Sequence, residues 1–290
     1  MTTIQTILEK YRPLLASLDV ELLLAHELKK SREFVLAHPE IELTKKQETN
    51  YKQLITRRLK HEPLAYILGH KEFYGLNFLV TRDTLIPRPE TEMLVEKTLQ
   101  VITKIKTGHI HIIDVGTGSG NIIISIAKNL KKRKINYFGV DISKKALQVA
   151  KYNAKKNNLV KIKFLQGNLL DPLIGNWELG IGNSKTIVLA NLPYLSKEIY
   201  SATLPTVKNF EPKSALISGA DGLSHYKRLL KQIQALKKIY YMLHITCLME
   251  ISPEQKPALK LLAVAYLPGA RIDFQKDLAG KWRICEINLD

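Results

Sequence analysis

A chain of 290 residues has room for one full α/β domain and a smaller companion, since single domains run to roughly 100–200 residues. Its 45% hydrophobic and 24% charged content is ordinary for a globular protein in water; no apolar run reaches the roughly 18 residues of a membrane helix, and the opening MTTIQTILEKYRPLL has charges where a secretory signal is apolar, so no membrane and a cytoplasmic location are expected. The formal charge of +17 suits an anionic partner such as RNA, but lysine is spread over nearly every expected helix, as on a plain solvated surface, and both readings stand.

Up to residue 70 the spacing predicts helices alone. Ile4, Ile7, Leu8, Tyr11 and Leu15 make one apolar stripe over 3–16, and Leu22, Leu23, Ala25 and His26 make another over 19–30. Thr44 can cap a helix running to about Lys60, and Pro63 opens a short one. Residues 1–70 are therefore expected to form a small all-α domain. A linker over 71–90 follows, in which Phe73-Tyr74 and the alternating Leu76, Phe78 and Val80 flank Gly75 like a hairpin, and Pro87 and Pro89 stiffen the chain around Arg88.

Over 91–290, apolar strands alternate with helices: HIHIIDVG, a helix over 120–131, INYFGVDI, a helix over 143–157, KIKFLQGN and TIVLANLPY. A helix over 222–238, the strand-like YYMLHITCLMEI, a helix over 253–266 and the pair ARIDFQKD and KWRICEINL complete the series. This pattern predicts an α/β domain, a mostly parallel doubly wound sheet with an antiparallel carboxyl-terminal pair. Cys247 and Cys285 lie in apolar stretches with no CxxC and no histidine at ligand spacing, so they read as buried thiols and no metal is expected.

The first strand of that domain runs into D114-V-G-T-G-S-G120 and then directly into a helix. Gly116, Thr117, Gly118, Ser119 and Gly120 would let a ligand lie against bare backbone at the carboxyl edge of the sheet. The spacing is not that of a dinucleotide fingerprint, which wants glycine where Asn121 stands. Asp114 just before the loop suits a cationic ligand better than a pyrophosphate, and S-adenosylmethionine carries both an ammonium and a sulfonium. Asp141, ending the second strand, can accept from both ribose hydroxyls or can cap the next helix. Asn168 and Leu169 stand where an adenine edge and face could be met, with a plain turn the competing reading for Asn168.

The fourth strand ends in Asn191-Leu192-Pro193-Tyr194, which opens into the same crevice. Pro193 keeps Leu192 extended, so the Asn191 side-chain oxygen and the Leu192 carbonyl form two adjacent acceptors. That pair fits one planar NH2 group, whose lone pair is delocalised and whose nitrogen needs both orientation and a more localised electron pair to attack a methyl group. Tyr194 could stack on a flat amide or base.

With these segments in view, EPLAYILGHKEFYGLNFLVTRDTLIPRPETEMLVE, IIDVGTGSGNIIISIA, NLPY and FEPKSALISGADGL, the chain resembles the HemK/PrmC family of S-adenosylmethionine-dependent methyltransferases that act on peptide chain release factors. The resemblance implies a Rossmann-like class I methyltransferase domain behind a helical release-factor-docking domain. It further implies methylation of N5 of the glutamine in the GGQ motif of class I release factors, and a monomer. By position, Gly116 to Gly120, Asp141, Asn168, Leu169 and Asn191 would hold the cofactor, Asn191 to Tyr194 would clasp the amide, and Arg88 and Pro89 would stand close by. The family's usual tetrapeptide has proline where this chain has Leu192, and NLPY also serves enzymes that methylate adenine N6 in nucleic acid. That chemistry is the alternative expectation.

Overall fold

The computed structural model describes residues 2–106, 108–130, 134–174, 185–240 and 242–289. The chain divides into two compact units, one of Met1–His70 with Leu204–Phe210 and one of Lys71–Thr203 with Glu211–Asp290.

The first unit begins with α1 (Ile4–Tyr11), α2 (Ser17–Leu28), α3 (Arg32–Ala37), α4 (Lys45–Leu59) and α5 (Leu64–Leu68). Thr3 with Thr6 and Thr44 with Gln47 make reciprocal capping boxes that start α1 and α4. The helix expected over 3–16 stops at Tyr11, because Pro13 has no N–H to continue it. Ser31 caps α3, a six-residue helix that the spacing did not predict. The apolar stripes meet in a core of Ile4, Ile7, Leu23, Leu24, Tyr51 and Ile55, where the Tyr51 hydroxyl donates to the Val20 carbonyl at 3.0 Å. Buried Glu21 is held by Arg12 at 3.1 Å and Arg32 at 2.8 Å.

The second unit opens with β1 (His70–Phe73) and β2 (Leu76–Leu79), joined by Tyr74 and Gly75 at φ of 51° and 70°. Two positive φ values in succession are what a type I′ hairpin turn requires. A 3-10 turn at Pro89–Thr91 then leads into α6 (Glu92–Lys104). The chain continues through β3 (Ile110–Val115), α7 (Asn121–Asn129), β4 (Ile135–Asp141), α8 (Lys144–Lys156), β5 (Lys163–Gln166), β6 (Lys185–Ala190) and α9 (Lys197–Ser201). After α10 (Pro205–Lys208), which belongs to the first unit, come α11 (Ser224–Ile239), β7 (His244–Glu250), α12 (Lys256–Tyr266), β8 (Arg271–Lys276) and β9 (Trp282–Leu289). The helix expected over 120–131 ends at Asn129, and residue 131 lies outside the described residues, as do Tyr241 and Asp290.

The strands form one seven-stranded sheet in the order β5-β4-β3-β6-β7-β9-β8. β9 runs antiparallel to both its neighbours and lies between β7 and β8, so β8 points the same way as the parallel strands. β3 is buried at every position, the continuous apolar run of a strand covered on both faces. The winding reverses between β3 and β6, which are paired in parallel with Val115 opposite Ala190. Ligands of open α/β sheets sit at the carboxyl edge of such a switch point. Here the glycine loop and the Asn191 segment leave the sheet there side by side. Cys247 and Cys285 are free and buried, and burial raises both thiols, that of Cys247 to about 12. No helix among the described residues is long and apolar enough to cross a membrane, and no metal-ligating cluster is found among them.

Candidate active site

A cavity of about 440 Å³ opens at the switch point. Gly116, Thr117, Gly118, Ser119, Asp141, Asn168, Leu169, Asn191, Leu192 and Pro193 all line it. Gly120 and Tyr194 do not: a Cβ on Gly120 would stand 2.9 Å from Ile124 Cδ1 and 3.2 Å from Ala150 Cβ, so this glycine serves the close packing of α7 on α8, while the Tyr194 ring packs against the core.

The glycine loop is built from its backbone outward. Gly116 and Thr117 both donate to the Val140 carbonyl, at 2.8 and 2.9 Å, and Gly118 donates to Asp141 Oδ2 at 2.9 Å. Gly116 and Gly118 have φ of 73° and 55°, which side-chain-bearing residues rarely adopt. Asp141 lines the cavity and accepts the Ser143 N–H at 2.8 Å, but it is not the helix cap: that is Ser143, whose hydroxyl accepts the Ala146 N–H at 3.2 Å. Burial, the largest effect, raises its pKa. Asp114 is fully buried behind the loop and is absent from the cavity wall. Its Oδ2 accepts the Thr117 hydroxyl at 2.7 Å, its Oδ1 has no hydrogen-bond partner, and burial, with the Asp141 charge behind it, pushes it up to about 7.

Leu169 is held at φ 56°, a left-handed conformation that costs an L-residue about 1–2 kcal/mol. Gln232 on α11 offsets this: its Oε1 accepts the Leu170 N–H at 3.0 Å and its Nε2 donates to the Asn168 carbonyl at 3.1 Å and to Asp171 Oδ1 at 2.6 Å. Asn153 on α8 plays the matching part for the glycine loop, donating to the carbonyls of Ser119 at 2.9 Å and Leu79 at 3.0 Å while accepting the Leu79 N–H at 2.8 Å.

The Asn191 Nδ2 donates to Thr91 Oγ1 at 3.0 Å, and the Thr91 hydroxyl is hydrogen-bonded to the Glu250 side chain. The Leu192 N–H donates to the Tyr226 hydroxyl, which donates in turn to the Glu250 carbonyl. The Leu192 side chain is 3% exposed and belongs to the core, with its Cδ2 only 3.1 Å from where a Gly116 Cβ would stand. Leucine in place of proline is therefore a packing feature under the glycine loop. Arg88 lines the cavity beside Pro87 and is clamped by buried Glu211 at 2.5 Å, whose other oxygen accepts the Ile86 N–H at 3.2 Å. Pro89 is the first residue of the 3-10 turn. His225 lines the cavity with its Nδ1 2.7 Å from the Ser218 hydroxyl, and burial lowers its pKa.

Thr91, Asn153, Glu211, Gln232 and Glu250 escaped the sequence analysis. The bonds of Thr91, Asn153, Glu211 and Gln232 to the site span 34 to 125 positions of chain, and Glu250 acts through Thr91; Thr91 and Glu211 stand inside the segments that resemble the family, but their spacing there does not mark these roles.

Residues 5–69 match the PrmC N-terminal domain and residues 106–191 match a methyltransferase domain. The chain is 34% identical over 266 residues to the release factor glutamine methyltransferase of Bacillus anthracis, covering 91% of this chain and 89% of the relative. Against the enzymes of the same name it is 35% identical in Bacillus subtilis, over 92% of this chain and 90% of that one, and 38% identical in Coxiella burnetii, again over 92% and 90%. The chain belongs to the release factor glutamine methyltransferase family. Among solved structures, the hMettl16 catalytic domain in complex with MAT2A 3'UTR hairpin 6 superposes with a TM-score of 0.55 at 16% identity over 81% of both chains, a likeness of fold. Membership of the release factor glutamine methyltransferase family across nine-tenths of the chain disfavours adenine methylation, which NLPY alone had left open.

The residues on the cavity wall fit the family's cofactor. S-adenosylmethionine is a cation with a flat base and a ribose, and the site has a backbone cradle without Cβ atoms at 116 and 118, an acidic wall at Asp141 and an apolar one at Leu169. Asp114 behind the loop, whose Oδ1 has no partner, adds negative charge of the matching sign only once it is deprotonated, above about pH 7.

Proposed function

We propose that this protein transfers a methyl group from S-adenosylmethionine to the side-chain nitrogen N5 of the glutamine in the GGQ motif of class I peptide chain release factors. The observation that carries the reading is the parallel pairing of β3 with β6, which brings the acceptors of the Asn191 segment beside the glycine loop in one crevice. S-adenosylmethionine, when bound, supplies an electrophilic methyl group on a positively charged sulfur. The backbone of Gly116 to Gly118 would receive the amino-acid end of the cofactor, Asp141 would accept from its ribose hydroxyls, and Asn168 and Leu169 would meet its adenine.

Asn191 Oδ1 and the Leu192 carbonyl each accept one N–H of the glutamine amide. Held in this way, the nitrogen is aimed and its electron pair is drawn out of conjugation as the new N–C bond forms. Transfer would leave the electrons of the carbon–sulfur bond on the sulfur of the departing thioether, and the N-methylated amide would lose one N–H proton to water. No strong general base is needed, because the cationic product is itself acidic. Pro193 fixes the Leu192 carbonyl, and Tyr194 supports the segment from the core.

The first unit docks the release factor, in line with its match to the PrmC N-terminal domain, and the protein works as a monomer in the cytoplasm. Contact with RNA has one specific support. On α8 the residues turned to solvent are Lys144, Lys145, Gln148, Lys151, Tyr152, Lys155 and Lys156, a face with five lysines and no acid. Such a face suits a phosphate backbone.

Mass spectrometry of release factor, ribosomal RNA and DNA after incubation with labelled cofactor tests the main reading. A methyl group on the GGQ glutamine is expected; label on nucleic acid with none on that glutamine overturns it. Asn191→Ala is expected to lower turnover at least a hundredfold while cofactor affinity stays within about threefold, and unchanged turnover would remove Asn191 from the mechanism.

A further inference from the structure

Two buried residues outside the glycine loop and the NLPY segment decide which way the Asn191 amide faces. Thr91, 1% exposed, ends the 3-10 turn before α6, and Glu250, 2% exposed, ends β7. β6 and β7 are paired with Ala190 opposite Met249, so Asn191 and Glu250 leave their strands next to one another. Thr91 Oγ1 lies 3.0 Å from Asn191 Nδ2 and is hydrogen-bonded to the Glu250 carboxyl.

Above about pH 7, to which burial raises it, the Glu250 carboxyl is ionised and can only accept, so the Thr91 hydroxyl spends its single proton on it. Its oxygen then faces Asn191 as an acceptor, and the amide answers with its NH2. Turned the other way, Asn191 would take the Thr91 proton through Oδ1 and strand a buried carboxyl whose Oε2 already has no partner among the described residues. Burial raises that carboxyl, the Thr91 hydrogen bond and the charges of Arg283 and Arg88 oppose the rise and Glu90 adds to it, so a lost donor is costly.

We infer that Thr91 and Glu250 are positioning residues for the methyl transfer: the Glu250 carboxyl orders the Thr91 hydroxyl, which holds the Asn191 NH2 inward and turns its Oδ1 toward the substrate nitrogen. The inference rests on the reading of Asn191 as an acceptor for the glutamine amide. With the amide reversed, two NH2 groups would meet and the nitrogen would lose one of its two anchors.

The test is steady-state kinetics on release factor with Thr91→Val, Thr91→Ser, Glu250→Met and the Val/Met double variant. Thr91→Val is expected to lower kcat about tenfold or more, which is at least about 1.4 kcal/mol of activation free energy, with KM and the cofactor Kd within about twofold. Thr91→Ser keeps the hydroxyl and should stay within about threefold of wild type. The double variant should be no slower than the slower single one, because both changes break one chain of hydrogen bonds. The Asn191 side-chain NH2 protons should also exchange with solvent faster in Thr91→Val than in wild type, a readout that needs no turnover. Should Thr91→Val fail to fold, Glu250→Met carries the same expectation. Unchanged kcat in Thr91→Val, a loss in Thr91→Ser as large as in Thr91→Val, or losses that multiply in the double variant overturns the inference. Wild-type protein that methylates no release factor sinks the activity itself, whereas active wild type with an equally active Thr91→Val sinks the inference alone.

Discussion

Asp114 is the residue whose chemistry departs most from its place in the sequence pattern. Its folded pKa of about 7 lies above the 3.8 of an exposed aspartate, so between those values the folded state holds a proton that the unfolded state has lost. Stability contributed by this group is therefore present at acid pH and falls as pH rises from about 4 to 7. Asp114→Asn keeps an acceptor for Thr117 and removes the titration; its melting temperature should fall less than that of wild type between pH 5 and 8, and identical profiles would refute the burial effect. Asp141→Ala should act on ligand affinity instead, raising the cofactor Kd by calorimetry at least tenfold. The acceptor pair at Asn191 and Leu192 was legible because adjacent residues and one proline define it. Thr91 was not, since its bond to Asn191 spans one hundred positions and exists only after the strands have paired.

Among the elements, the loop after β5 shows how one helix can set the shape of a binding wall. Gln232→Leu removes three hydrogen bonds from residues 168–171 and frees Leu169 from its left-handed conformation. A loss of about 1–3 kcal/mol in stability is expected together with a severalfold weaker cofactor affinity, measured by denaturant titration and calorimetry. Gly120→Ala tests backbone strain and packing together: with φ at 79° and neighbours at 2.9 and 3.2 Å, an added methyl should cost about 1–3 kcal/mol by thermal unfolding. Long apolar strands such as β3 and β6, and helices with a full stripe such as α11, were legible from periodicity. The short helices α3, α9 and α10 carry too few turns to show a period, and the overrun of α1 past Tyr11 came from reading Leu15 as part of a stripe that Pro13 interrupts.

At the scale of the molecule, the cavity is lined by residues of the second unit, while the first has a hydrophobic core of its own. Leu23→Ala, at a fully buried position of that core, should therefore cost about 2–5 kcal/mol of stability yet leave the cofactor Kd unchanged, with the penalty appearing in KM for the release factor. A rise in cofactor Kd would refute that division of labour. The sheet order has a different consequence, for synthesis of the chain. β8 has β9 as its neighbour and is made before it, and β7 likewise waits for β9 on that side. Until residues 282–289 leave the ribosome, two strand edges stay open, next to core residues Cys247 and Met249, and invite pairing with other nascent chains. A stop codon misplaced a few positions upstream of β9 would make that hazard permanent.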